Sequence, residues 1–338
     1  MDKPVNVSDY SKGTIYLDSK VESLRLRNNN LVIYGDTENS IPINQIGSII
    51  IRGSTSITTN ILIELIKHGV TISLLDYYGN YKTTLNPDIA GNIDTRYSQY
   101  KISESDAGFK VGKKIIAAKV ENQISVLDRH LRNYGSNQSV DKAISRMTDE
   151  LDYIKIAFNR DQLLGYEGNI ASIYFDEFNE LILNKDFRFN GRSYRPPLDE
   201  VNALLSYGYG LLRNDIEKCI RLCGLDPCIG FIHSIKSGKS SLALDMMEEY
   251  RPYMIDRLVL SLINKNIVKI CNFTIENNAV YCDKETRLKL IEAWESKKQT
   301  KVSYNNKSTT YGELLFKQTR LLVAAIKGLD EYKPYIWR

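Results

Sequence analysis

A chain of 338 residues with 43% apolar and 25% charged side chains has the balance of a globular protein and the length for two hydrophobic cores. No apolar run approaches the roughly 18 residues of a spanning helix, and the N-terminal residues lack the apolar core of a signal peptide, so a cytoplasmic protein without membrane attachment is expected. Five scattered cysteines argue against a disulfide framework and for reduced, packed thiols, while a net charge of +4 admits a polyanionic partner without requiring one.

In chain order, residues 13–86 read as short β-rich runs broken by turns: TIYLD, SLRLRNNNLVIYG, SIPI, SIIIRG and VTISLLDYYGNYKTTL. Asn28 to Asn30 predict a hairpin turn. Between the fourth and fifth runs Ile61, Ile63, Leu65 and Ile66 fall at helical spacing, with His68 at the helix end and Gly69 suited to its C-cap. Residues 87–107 are polar, contain glycine and lack a period, which predicts a linker. From 108 to 338 amphipathic stretches dominate, at about 109–132, 139–160, 162–183, 197–223, 240–263, 284–298 and 309–328. One is punctuated by Pro196, Pro197 and Asp199 at its start and Gly224 past its end, and Pro252 should kink or restart another. The expected fold class is α+β: a β-rich domain with one helix over 1–86, then a larger, mostly α-helical domain over 108–338.

Three places could carry chemistry. Around Glu167, residues Leu163, Ile170, Ala171, Tyr174 and Phe178 fall at helical spacing, so a carboxylate lands on the apolar face. Unpaired there it would stay protonated or cost several kcal/mol of desolvation, so it needs a cation, a metal or a donor beside it. The plainer reading is an ion pair with an arginine. His233 ends a short apolar run before a Gly/Ser loop and could ligate a metal or simply cap packed backbone. Asp245 and Glu248 stand at i, i+3 on a face away from the stripe of Ala243, Met247, Tyr250, Met254 and Leu258. They would repel unless a cation lay between them, and Glu249 could serve as well as Glu248 on spacing alone. A solvated helix face is the alternative. His130 reads as an exposed helical residue, and Cys219 with Cys223, at i, i+4, as buried packing. The Gly-Lys-Ser triplet at 238–240 lacks the first glycine of a phosphate loop, so nucleotide binding is discounted.

Taken in order, GYEGNIASIYF, RPPLDEVNALLSYGYGLL, LDPCIGFIHS and SLALDMMEEYRPYMIDRLVL resemble the CRISPR-associated integrase family, the first-numbered Cas protein of spacer acquisition. The resemblance implies Glu167, His233 and Glu248 as catalytic ligands of Mg²⁺ or Mn²⁺, with Asp245 supporting and Asn202, Ser206 and Tyr207 lining the site. It implies a DNA endonuclease or integrase that inserts short duplexes into a CRISPR array by 3′-hydroxyl attack on a phosphodiester. It also implies a homodimer joined to a small second Cas subunit, acting on the spacer precursor and the repeat. DNA contacts are expected among Arg192, Arg195, Arg213, Lys239, Arg251 and Arg257, with Arg251 foremost because it shares the motif of Glu248. The rival reading is a non-catalytic DNA-binding scaffold with the same fold. A small-molecule metallohydrolase, more distant, would ignore competing DNA and salt.

Overall fold

The computed structural model describes residues 13–17, 21–35, 38–76, 81–85, 93–193 and 195–338, and the chain divides into compact units of residues 1–93 and 94–338. In the first unit β2 (Ser23–Arg27), β3 (Asn30–Tyr34) and β4 (Asn39–Pro42) form an antiparallel sheet. Its first turn is the expected one: Asn28 and Asn29 take φ of 48° and 59°, the left-handed conformation that two-residue hairpin loops require and asparagine tolerates. The second sheet has the order β1 (Gly13–Leu17), β5 (Ile46–Arg52), β6 (Thr71–Leu75), β7 (Tyr81–Leu85). β5 is buried along its whole length between two parallel neighbours, which is why it reads as a near-continuous apolar run rather than an alternation.

The crossover from β5 to β6 is α1 (Thr59–Lys67), capped by His68 and stopped at Gly69 with φ of 79°. Ile61 and Leu65 enter the core with Leu24, Leu31, Ile46, Ile49 and Ile72, whereas Ile63, expected in the same stripe, is 49% exposed. The apolar face of α1 is narrower than its composition.

The second unit is helical, as expected, but it starts earlier. α2 (Ile93–Ser103) occupies most of the stretch read as a linker. Gln99 explains the misreading: it is fully buried and polar, donating to the carbonyls of Asp226 and Ile229 at 2.8 Å each and accepting from Asp226 N–H. A helix that packs through an amide has no apolar period to read. Residues 86–92 lie outside the described residues.

α3 (Asp106–Tyr134) is the axis of this unit, and α4 (Gln138–Ile156), α5 (Arg160–Asp176) and α7 (Ser241–Glu248) pack on or around it. α6 (Glu200–Leu222) begins where Asp199 accepts from Asn202 N–H at 2.7 Å and ends before Gly224, as the punctuation predicted. Pro252 does not simply kink the next stretch. It lacks the N–H that would bond to Glu248, and residues Arg251–Asp256 widen into π-helical turns before α8 (Arg257–Asn264) resumes.

Two hairpins, β8 (Phe273–Glu276) with β9 (Ala279–Cys282) and β10 (Lys301–Tyr304) with β11 (Lys307–Thr310), flank α9 (Lys284–Gln299) and precede α10 (Tyr311–Ile326). The C-terminal strap returns to α3: Trp337 N–H donates to the Asn122 side chain at 2.8 Å, and Tyr332 and Trp337 are buried.

His130 is half-buried against Tyr134 rather than exposed, and that burial lowers its pKa. Cys219 and Cys223 are buried, with burial pushing the Cys223 thiol up to about 12, and none of the five cysteines is in a disulfide. Among the described residues no helix is long and apolar enough to cross a membrane.

Candidate metal centre

Two of the three residues singled out from the sequence, Glu167 and Glu248, meet around a fourth that was not. Lys119, on the inner face of α3 and only 6% exposed, carries its ammonium between two carboxylates: it donates to Glu167 from α5 and lies 2.7 Å from Glu248 Oε2 at the end of α7. Leu163, Ile170, Tyr174 and Phe178 are fully buried, so Glu167 does sit at the edge of an apolar face, with its side chain 21% exposed. Its partner is a lysine, not the arginine of the plainer reading. Glu248 is buried outright. Burial alone would raise its pKa, but Arg251, Lys119 and His233 outweigh it and hold the carboxyl well below the usual range. Arg251 pairs with Glu248 Oε1 at 2.7 Å, while Oε2 is ion-paired to Lys119 without a directed hydrogen bond.

Asp245 and Glu248 do not share a cation, because Asp245 is turned the other way. Its fully buried carboxylate accepts the backbone N–H groups of Phe231, Ile232 and His233, the last two at 3.0 and 2.9 Å, and lies 2.6 Å from His233 Nδ1. A carboxylate can only accept there, so Nδ1 is the donor, and in the neutral ring Nε2 is the acceptor, the tautomer a metal-binding histidine requires. Close packing makes this possible. A Cβ on Gly230 would come within 2.5 Å of Asp245 Oδ2, and one on Gly112 of α3 within 2.7 Å of Ile232. Glu249 is excluded from the cluster: it points to Tyr332, whose hydroxyl donates to it at 2.9 Å, and burial raises its carboxyl to about 7. Since Asp245, Glu248 and Glu249 are all buried, none lies on a solvated face.

Residues 15–296 match the family model described as CRISPR associated protein Cas1. The chain belongs to the Cas1 family. It is 37% identical over 340 residues to a CRISPR-associated endonuclease Cas1 of Rhodospirillum rubrum, covering 96% of this chain and 98% of that protein. It is 35% identical over 308 residues to one from Chlorobaculum tepidum, covering 88% of this chain and 90% of that protein. Among solved structures, a casposase bound to integration product superposes with a TM-score of 0.84 at 27% identity, covering 94% of this chain and 91% of the other. A Cas1 protein from Thermotoga maritima shares the fold, with a TM-score of 0.83 at 21% identity over 96% of this chain and all of that one.

Within this Cas1 fold, Asn202 and Ser206 both contact Arg192. Asn202 is fully buried and accepts from Arg192 at 2.6 Å and Ser193 N–H at 2.9 Å, while Ser206 accepts from Arg192 at 3.3 Å. Arg192 and Arg251 both lie over the Tyr209 ring, 5.3 and 5.1 Å from its centroid, so the expected DNA contacts Arg192 and Arg251 form one cationic wall beside Glu248. Tyr207 is half-buried on α6. Arg213 faces Glu217 of its own helix at 3.6 Å, and Lys239 closes the turn beyond His233.

Behind the wall, Asp256 accepts from Tyr209 at 2.6 Å and Tyr174 at 3.1 Å. Burial raises its carboxyl to about 6, against those hydrogen bonds and the two arginines. The folded pKa therefore exceeds the ordinary 3.8, the folded state binds more protons than the unfolded one, and stability falls as pH rises from 3.8 to about 6. Urea unfolding across that range should show wild type losing roughly 3 kcal/mol relative to Asp256→Asn, levelling off above it. Parallel curves for the two proteins would refute this.

A divalent cation fits the donor set. Among the described residues no three His, Cys, Asp or Glu side chains stand close enough together to cage a metal ion, and the two carboxylates are paired to Lys119. Yet the pocket gathers negative charge: two carboxylates converge on one ammonium, and Asp245 fixes the orientation of the His233 ring. Oxygen-rich donors with one imidazole suit Mg²⁺ or Mn²⁺ rather than a thiolate-seeking metal.

Proposed function

We propose that this Cas1-family chain is a metal-dependent DNA endonuclease and integrase of CRISPR adaptation, in which Glu167, His233 and Glu248 hold Mg²⁺ or Mn²⁺. The observation that carries the reading is the convergence of Glu167 and Glu248 on one cation, with His233 held by Asp245 within electrostatic reach of Glu248. Support for strand transfer comes from the likeness to a casposase bound to integration product, and support for cutting from the relatives named as endonucleases. The substrates that go with it are a short DNA duplex and a CRISPR repeat, and the assembly is a homodimer with a small second Cas subunit.

The chemistry needs alignment and charge stabilisation more than covalent help. When bound, the metal supplies Lewis acidity, lowering the pKa of the attacking 3′-hydroxyl and neutralising the phosphate. Arg251 and Arg192 present guanidinium donors to a phosphodiester, and Tyr209 fixes both by lying beneath them. Asp245 keeps the ring of His233 in one orientation. That ring must be unprotonated to ligate, so activity falls in acid.

The test is incubation with branched DNA and Mn²⁺, with and without chelator, across a salt series. Expected are joined or cut strands with Mn²⁺, none with chelator, and none from folded Glu167→Ala, His233→Ala or Glu248→Ala proteins. Full activity in those variants would overturn the site. DNA binding without any cutting by wild type would identify the scaffold reading instead.

A further inference from the structure

A second cationic cluster, sharing no residue with the metal centre, lies where the C-terminal strap docks. Arg257, the first residue of α8, stands 4.1 Å from the centroid of the Trp337 ring, and Arg129 of α3 stands 5.6 Å from the same ring. Lys297, near the end of α9, lies 4.7 Å from the ring of Tyr311. Tyr311 and Trp337 both pack on Tyr253, so three cations from three helices frame one aromatic platform.

Among the described residues none of the three cations forms an ion pair or hydrogen bond with a carboxylate, in contrast to Lys119 and Arg251. Burial, then the neighbouring Arg129, lowers the pKa of Arg257, and Arg257 in turn repels Lys297. Each ring offsets part of the cost of holding a cation, but rings do not cancel repulsion between neighbouring cations. Burial, followed by Arg257, brings Lys297 down to about 8. All three side chains still reach solvent, Arg129 most of all. A group that relieves this arrangement must be anionic, must approach from solvent, and must accept hydrogen bonds from two guanidiniums and an ammonium.

We propose that Arg129, Arg257 and Lys297 form a phosphate subsite that grips a backbone phosphate of DNA away from the point of cutting. The assignment of DNA as the source of that phosphate rests on the function proposed above; the anion site itself rests on the cluster. Half-buried Tyr335 packs at a tilt on Tyr253, and Tyr304 on Tyr335, extending the platform into the basic and aromatic mixture that nucleic-acid backbones favour.

The experiment compares wild type with Arg129→Gln, Lys297→Gln and the double variant, Arg129 being exposed and Lys297 half-buried. Fluorescence anisotropy with a labelled short duplex is run over a salt series, alongside Mn²⁺ titration calorimetry as a check on the metal centre. The expected result is several-fold weaker DNA binding per variant, a salt slope shallower by roughly 0.9 for each lost phosphate contact, and unchanged Mn²⁺ binding. DNA binding and slope identical to wild type in the double variant would overturn the subsite while leaving the proposed function standing. Should wild type bind no DNA, the proposed function fails, and thermal unfolding with inorganic phosphate decides the subsite. Phosphate that stabilises wild type and not the double variant keeps it, and equal response removes it.

Discussion

Glu248→Ala is expected to lose DNA cutting to background and, in metal-free buffer, about 3–5 kcal/mol of stability, the cost of stripping one partner from a buried ion pair. The carboxylate is 3% exposed and is the counter-charge of both Lys119 and Arg251, each at 2.7 Å. Without it two cations share the remaining charge of Glu167. Lys119→Met is the mirror case: it leaves Glu167 and Glu248 facing each other without the ammonium, so its deficit should shrink sharply when Mn²⁺ is added, which wild type, already neutralised by Lys119, will show less. The double variant Lys119→Met, Glu248→Gln removes charge of both signs. It should recover much of the lost stability and none of the activity. Urea unfolding with chelator and with Mn²⁺, beside a strand-cutting assay, measures all of this. If either single variant unfolds at the wild-type midpoint, or the double is weaker than both singles, Lys119 does not play this part.

Lys119 also shows how far the sequence could be read. Glu167 was found because a carboxylate fell at helical spacing among apolar residues, and the same test applied to α3 would have found its partner. Lys119 stands with Ile115 and Ile116 one turn before it and Gln123 one turn after, all buried. A lysine excites less suspicion on a helix because its long stem can reach water from a half-buried position, yet here the ammonium stays inside. What spacing could not supply was the direction of Asp245. At i, i+3 it and Glu248 look like one acidic pair, but the packing of residues 230–233 against α3 and α7 draws Asp245 into backbone hydrogen bonds.

The fold was legible wherever a local rule governed it. Asn28 to Asn30 announced a hairpin turn, and an Asn pair recurs at 277–278 and 305–306, again with positive φ, in the two hairpins that the helical reading passed over. The helix α6 was bounded by its own punctuation. In contrast α2 and the C-terminal strap are held by contacts far along the chain, Gln99 to Asp226 and Asn122 to Trp337, and no local pattern encodes such partners.

Asp245 is where a change without a direct metal contact should have the next largest effect. Its two oxygens receive three backbone N–H groups and the ring of His233, and it is fully buried. Asparagine keeps one acceptor and places an amide donor toward N–H groups, so at least one buried donor is left unsatisfied and another loses its charge assistance, together costing about 3 kcal/mol. The same exchange frees His233 to adopt the other tautomer, with its proton on the nitrogen meant for the metal. Loss of such an outer partner lowers metal affinity or activity by about 10–100-fold. Calorimetric titration of Asp245→Asn with Mn²⁺ should show that loss, and urea unfolding the stability deficit, while DNA affinity in chelator stays near wild type because the arginine wall is untouched. Wild-type Mn²⁺ affinity in a correctly folded Asp245→Asn protein would mean that His233 needs no such holder, or that it is not a ligand.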